Sequence, residues 1–488
     1  MSNDAFGHLV APYTIECLAT TTDAEILVRL ALVANTANPN LCEHQGILKE
    51  VRNGRLREMP AGEMEAILAQ HVMLGVPTRE GRVLRSVPHR YAHHLRNRPH
   101  GYFPLVEIVL FGPGLLPDGT LALSGGLRKD QGVYVDWKYP PIDPSMVSRD
   151  TIREVVQRLL DFPFESEADC ATAFGAMLTP LTRADIRGAC PLVFVTSTGS
   201  GAGKTYLARV IGAIALGRDP EVRGLTAWNA EASRELHTYL LSDPRILLLD
   251  NLPTGGTVGG ADLHRLISAT SEIGLRPMGS GKERFVLPRA LWVATANHAS
   301  IDDEMVRRTV FVRLRCERGR PRLTPDLIAW VLENRALVLA VLLHIVQAWL
   351  DAGRPGPSRS RPGFDEWSAV VGGIVEHAGL PGWLAVENHP VSEENNEIAE
   401  MLRSWPQAVG AFAELRPHGA YKHVKERGLY VLAARLEEGV HSPRSIDTNT
   451  GRFLTLLVRS GRGYGGLRLS ERTGHAGRFY KPVPEGSP

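Results

Sequence analysis

Residues 191–205 read PLVFVTSTGSGAGKT, and the rest of the chain is best understood outward from them. Residues 192–195 are an unbroken apolar run, as expected of a strand buried on both faces. A glycine-rich turn follows. From Gly203-Lys204-Thr205 onward, Leu207, Val210, Ile211 and Ile214 recur at helical spacing, and Gly217 is a natural stop. Strand, glycine loop and helix in that order are the context of a phosphate-binding loop. Thr198, Gly199, Ser200, Gly201, Ala202 and Gly203 would turn backbone N–H groups onto phosphate oxygens, and the helix N-terminus would add a favourable partial charge. Lys204 would reach the β- and γ-phosphates, the Thr205 hydroxyl would ligate Mg²⁺, and Tyr206 belongs to the same first turn. The strict pattern begins with glycine where this chain has Thr198, but three glycines remain to make the turn. The expected ligands are ATP and Mg²⁺.

Residues 245–252, RILLLDNL, form a second apolar run that ends in an acid. In a parallel sheet that places Asp250 at the C-terminal edge of a strand, where ligands bind and where a carboxylate can hold Mg²⁺. Asn251 follows, where many ATPases have a glutamate that activates water. An amide is a poor base at neutral pH but can orient water. Glu235, just upstream on a helical pattern, is a candidate base or simply a solvated helix residue. Residues 289–297, RALWVATAN, give a third buried run with Asn297 at its tip, able to hold water or a γ-phosphate. Residues 301–314, IDDEMVRRTVFVRL, put Arg307 and Arg308 between a short helix and a strand, where they are either surface charge or a finger reaching a neighbouring subunit's phosphate. Between the second and third runs, LRPMGSGKERFVL at 275–287 reads as a hairpin. Its Arg276, Lys282 and Arg284 could contact DNA phosphates or could simply be solvated.

This set resembles the superfamily 3 helicases of the AAA+ group, and more closely the poxvirus-type primase–helicase ATPases of phages, plasmids and integrated elements. The resemblance runs from about Phe103 to the C-terminus. It includes FPLVEIVLFGPGLLPDGTLALSGGL, DFPFESEAD, LLLDNL, LRPMGSG, VATANH, the arginine pair, GRP at 353–355 and GFDEWSAVV. It implies an α/β P-loop NTPase with an AAA+/superfamily 3-like parallel sheet, an α+β N-terminal domain and a C-terminal winged-helix-like domain. The implied activity is that of a hexameric, ATP-driven 3′-to-5′ motor on single-stranded or forked DNA. A DNA-bound ATPase switch or loader that does not unwind is the alternative. A P-loop small-molecule kinase would need an acceptor pocket and no trans arginine. Relatives often carry an N-terminal primase; no acidic primase triad is recognisable here.

The flanks agree with a multidomain chain. At 488 residues, with 43% apolar and 22% charged residues, disorder and a coiled-coil rod are excluded, and three or four domains are expected. The expected boundaries are 1–147 for an accessory α+β domain, 148–320 for the ATPase core, 321–390 for a helical extension and linker, and 391–488 for the basic domain. A net charge of +2 requires any nucleic-acid footprint to be local. Five scattered cysteines without a CxxC pair argue against a disulfide scaffold or zinc ribbon. No secretory signal is evident and the longest apolar run, 336–343, is too short to span a bilayer, so a cytoplasmic protein is expected. Residues 81–100 carry five arginines, four histidines and no acid; His89 and His93 have metal-ligand spacing, against the plainer reading of a basic surface. Helical patterns are expected at 61–73, 153–160, 167–178, 325–350, 365–376 and 391–405, with a loop or linker at 353–363. Residues 401–488 hold 14 Lys/Arg and 7 Asp/Glu. A helix over 445–458 bearing Arg452, followed by Arg462, Arg468 and Arg478 on a two-stranded wing, fits a winged helix on duplex DNA or a basic subdomain that only packs.

Overall fold

In the computed structural model the apolar run before the glycine loop is strand β1 (Leu192–Ser197). The structure describes residues 13–18, 20–52, 55–60, 62–197, 201–224, 230–252, 257–276, 283–296, 300–315, 326–385, 393–408, 411–437, 443–460, 467–474 and 477–484. Strands β2 (Val222–Gly224), β3 (Ile246–Leu252), β4 (Leu291–Ala296) and β5 (Thr309–Leu314) join β1 in one five-stranded sheet of order β2-β3-β4-β1-β5. Every pairing is parallel. The strand carrying the glycine loop is therefore flanked by the third apolar run on one side and the strand after the arginine pair on the other. This is an α/β P-loop-like fold, and the continuous apolar runs are explained by helices on both faces.

Helix α1 (Glu167–Thr182) is buried along nearly its whole length. It packs so closely that a Cβ on Gly175 would lie 2.7 Å from the Trp383 ring. Asp169 in its first turn is fully buried and takes Arg313 of β5 through Nε and Nη2, both at 3.1 Å, and the Arg313 backbone N–H at 2.9 Å. The DFPFESEAD segment thus ties α1 to the edge of the sheet. Helix α2 (Lys204–Leu216) follows the glycine loop, and α3 (Ala230–Leu240), α4 (Ala261–Ile267) and the short α5 (Asp303–Val306) complete the core. The hairpin expected at 275–287 is present as Ile273–Leu275 paired with Arg284–Val286; its tip lies outside the described residues.

The pattern over 325–350 gives two helices, not one. Helix α6 (Leu327–Glu333) and α7 (Arg335–Asp351) meet at 85°. Asn334 makes the corner, and both its backbone N–H and its side-chain amide donate to the Trp330 carbonyl, each at 2.9 Å. Arg335 then plunges inward, donating to the carbonyls of Phe111, Ile214 and Ala215, the last two at the C-terminal end of α2. Burial holds its pKa down to about 10. No single helix among the described residues is long and apolar enough to cross a membrane, and the bent pair that passes on composition is largely buried.

Buried apolar residues gather into separate clusters, and the largest of those described has members on both sides of residue 147. One small core gathers residues from Ile15 to Phe103, including Leu30, Leu41, Leu48 and Leu95. From Ile108 onward, Leu110, Val133, Val135 and Trp137 belong to the same core as the five-stranded sheet. Val109 and Tyr134, which alternate with them on the same strands, pack instead with Cys42. His89 and His93 lie on helix His89–Asn97 with rings 5.9 Å apart, and His89 faces Glu65 at 2.9 Å. Among the described residues no group of three or more His, Cys, Asp or Glu could hold a metal ion. At the other end, helices Glu393–Arg403, Pro417–Glu426, Tyr430–Glu437 and Pro443–Ser460 and an antiparallel hairpin, Leu467–Gly474 with Gly477–Pro484, close on their own core of Leu402, Trp405, Leu432, Leu454 and Tyr480.

Candidate nucleotide site

Gly201 and Gly203 adopt φ of +83° and +92°, a left-handed backbone that other residues rarely take, so the turn into α2 depends on them. They bring Lys204 to the N-terminus of α2 with its side chain 8% exposed. A buried ammonium needs acceptors, and Lys204 Nζ donates to Ser197 Oγ at 2.6 Å, at the end of β1. The Thr205 hydroxyl donates to Asp250 Oδ1 at 2.6 Å. Two residues 45 apart in sequence thus meet at the C-terminal edge of the sheet. Thr198, Gly199 and Ser200 lie outside the described residues.

Asp250 is aimed by an irregularity in its strand. Leu249 pairs with Ala294 and Leu252 with Ala296, so Asp250 and Asn251 together oppose the single residue Thr295. Such a bulge turns a side chain that regular pleating would send elsewhere. Thr295, 1% exposed in an otherwise apolar strand, donates its hydroxyl to the same Asp250 oxygen. Ser197 and Thr295 are the site residues that motif reading passed over. The signal for both was present: a hydroxyl in a strand buried on both faces must find a polar partner.

Tyr206 departs from expectation. Its hydroxyl accepts the Leu327 backbone N–H at 2.7 Å, capping α6, and its ring packs on Phe162. Glu235 is exposed on α3 and makes no hydrogen bond or ion pair among the described residues, so it is not brought to Asp250. The same helix meets Asp262 through Ser233 and His237. Asn297 lies outside the described residues; Asn251 is on β3 beside Asp250.

The arginine pair follows α5. Asp302 fixes that helix: its carboxylate caps the Met305 N–H at 2.7 Å, accepts the Gly260 N–H at 2.8 Å and sits 2.9 Å from His264 Nε2. Arg308 is held inward, donating to Ser268 Oγ at 2.7 Å and to the Glu304 carbonyl at 2.7 Å and carboxylate at 2.8 Å. Arg307 is exposed and pairs with the other Glu304 oxygen. The two guanidinium groups hold the Glu304 carboxyl down at about 2.

The residues expected on DNA fall in two places. Arg276 and Arg284 are exposed at the hairpin; Lys282 lies outside the described residues. Arg452, exposed on helix Pro443–Ser460, and Arg478, exposed on the terminal hairpin, line one surface depression of about 630 Å³ with Thr448 and Thr455. Arg468 is half-buried on that hairpin, and Arg462 lies outside the described residues.

No protein-family model and no curated protein matches the chain. Several solved structures are similar at low identity. One is the A form apo structure of the NrS-1 C-terminal region, 12% identical over 94% of this chain and 98% of that one, with a TM-score of 0.39. Another is the SCCmec type IV Cch active helicase, 11% identical over 91% and 97%, with a TM-score of 0.28. A third is the JCV helicase, 14% identical over 50% of this chain and 62% of that one, with a TM-score of 0.26. Likeness this loose carries no functional weight, and the residues of the site have to speak for themselves.

Proposed function

We propose that this chain is an ATP-hydrolysing DNA helicase or helicase-like motor for the replication of a mobile genetic element, acting as a homo-oligomeric, hexameric ring on single-stranded or forked DNA. The observation that carries the reading is the convergence of Lys204, Thr205, Asp250 and Thr295 at one edge of the parallel sheet. A hydroxyl and a carboxylate within hydrogen-bond distance, beside a buried ammonium at a helix N-terminus, are a donor set suited to Mg²⁺ and a nucleotide triphosphate. Mg²⁺, when bound, would neutralise developing charge on the phosphates. Lys204 would exchange Ser197 for the β- and γ-phosphate oxygens. Thr205 and Asp250 would hold the metal, and Thr295 would keep the Asp250 carboxylate oriented. Asn251 would orient water, and the exposed Arg307 would reach the phosphate of an adjacent subunit.

The C-terminal helices and hairpin fit a winged-helix-like unit that holds duplex DNA through Arg452 and Arg478. The deciding experiment is strand separation on forked DNA with ATP, run beside Lys204→Ala, with particle size measured with and without nucleotide. Unwinding that requires Lys204 is the expected result. ATP turnover without strand separation would leave a DNA-bound switch or loader, and no turnover would overturn the reading.

A further inference from the structure

By composition, residues 353–363 (GRPGPSRSRPG) are a linker, but the structure puts one of them against the arginine pair. Arg361 Nε donates to the Arg307 carbonyl at 3.1 Å, and Arg361 Nη2 donates to the Val306 carbonyl. These carbonyls close the short helix α5, where no following turn offers N–H donors. One planar guanidinium satisfies both, which a single ammonium could not do as well. Arg361 is itself anchored. Its backbone N–H donates to Ser368 Oγ at 2.9 Å and its carbonyl accepts the Phe364 N–H at 2.9 Å; Ser368 and Phe364 are both buried. Burial also lowers the guanidinium pKa, so the two carbonyls stand in for the water it has lost.

Arg307, Arg308 and Arg361 line one cavity of about 470 Å³ with Ser268 and Phe364. Their states differ. Arg308 is committed to Ser268 and Glu304, and Arg361 to backbone carbonyls, while Arg307 is exposed and pairs with Glu304 at the surface. We propose that Arg361 is a positioning residue that fixes the turn after α5, so that Arg307 is presented to the nucleotide phosphate of a neighbouring subunit. The proposal rests on the reading of Arg307 as the arginine shared between subunits.

Arg361→Met keeps side-chain length and removes both donors. It should lower kcat for ATP roughly ten- to hundredfold, the loss expected for hydrogen bonds from a charged donor. KM and nucleotide affinity should stay at parental values, because the glycine loop is untouched. Arg361→Lys should fall between the two. The double variant Arg307→Ala/Arg361→Met should be no slower than Arg307→Ala alone, and Arg361→Met mixed with Lys204→Ala should regain activity. Should Arg361→Met fail to fold, Arg361→Lys carries the same non-additivity test. If Arg307→Ala retains full turnover, the shared-site reading itself falls. If Arg307→Ala is inactive but folded Arg361→Met turns over normally, or the double variant is slower by the product of both effects, the positioning role is overturned and the shared site stands.

Discussion

At the scale of single residues, the chemistry turns on which groups touch Asp250. On the proposed function, Lys204→Ala would remove a charge-assisted phosphate contact and should abolish ATP turnover while leaving the melting temperature close to parental; normal turnover by the folded variant would refute the assignment. Thr295→Val keeps the shape of the side chain and removes the hydroxyl that orients Asp250. A hydrogen bond to a charged group contributes about 1.5–3 kcal/mol, so kcat should fall roughly ten- to a hundredfold, with a higher Mg²⁺ requirement in steady-state assays. Asn251→Ala should slow hydrolysis less than Asp250→Ala, since an amide can orient water but not take its proton. Glu235→Gln should change nothing, because Glu235 is exposed on α3. Lys204, Thr205 and Asp250 could be found in the sequence because their spacing is tied to a strand-loop-helix pattern. Thr295 could not be assigned that way: its role comes from a bulge that sets two residues of β3 against one of β4, and a bulge leaves no periodic trace.

Among the elements, the strands of the sheet and the helix after the glycine loop were legible because continuous apolar runs and 3.6-residue periodicity are local properties. The break at Asn334 was not, because the run on either side is uniformly apolar and the turn is imposed by Arg335 reaching the end of α2. The place of Arg361 was hidden for a related reason: a Pro/Gly/Ser-rich loop looks the same whether it dangles or docks. Buried contacts between elements should dominate stability. Asp169 joins α1 to β5 through Arg313 with no exposed surface of its own, so Asp169→Ala removes the close partner of Arg313 and leaves it the more distant Glu165 at 3.7 Å. Removing one member of such a pair typically costs about 3–5 kcal/mol, which urea denaturation would register as a lower midpoint at unchanged slope. In the C-terminal bundle, burial pushes the His423 pKa below its usual 6.5. A depressed folded-state pKa means the unfolded chain takes up the proton first. Stability from this residue is therefore intact above about pH 6.5 and declines as pH falls below it. Thermal melts of the parent should drop between pH 7 and 5 more steeply than those of His423→Gln; parallel curves would exclude His423 as the cause.

For the whole molecule, the proposed function asks how the body that carries the parallel sheet and the basic C-terminal bundle would act together on a polymer of phosphates. A site completed between subunits predicts complementation: Arg307→Ala/Arg308→Ala protein mixed with Lys204→Ala protein should regain part of the parental ATPase rate, as some interfaces then pair an intact loop with an intact finger. No recovery in verified mixed oligomers would place the site within one subunit. DNA contact requires a more selective test than truncation. Removing residues 441–488 would take Leu454, Leu457, Leu469 and Tyr480 out of the bundle's core, so lost binding could reflect lost folding. Arg452 and Arg478 are exposed, lie on different elements and line the same depression, which makes them the pair to change. Arg452→Gln/Arg478→Gln should leave the melting temperature and ATP affinity unchanged. Each phosphate contact contributes roughly 0.9 to the slope of log affinity against log salt on duplex DNA, so losing two should flatten that slope by about 1.8 and weaken binding most at low salt. The same loss on every duplex sequence is expected, since phosphates carry no base identity. An unchanged slope in the double variant would make this face a packing surface, and would move DNA contact to the hairpin that carries Arg276 and Arg284.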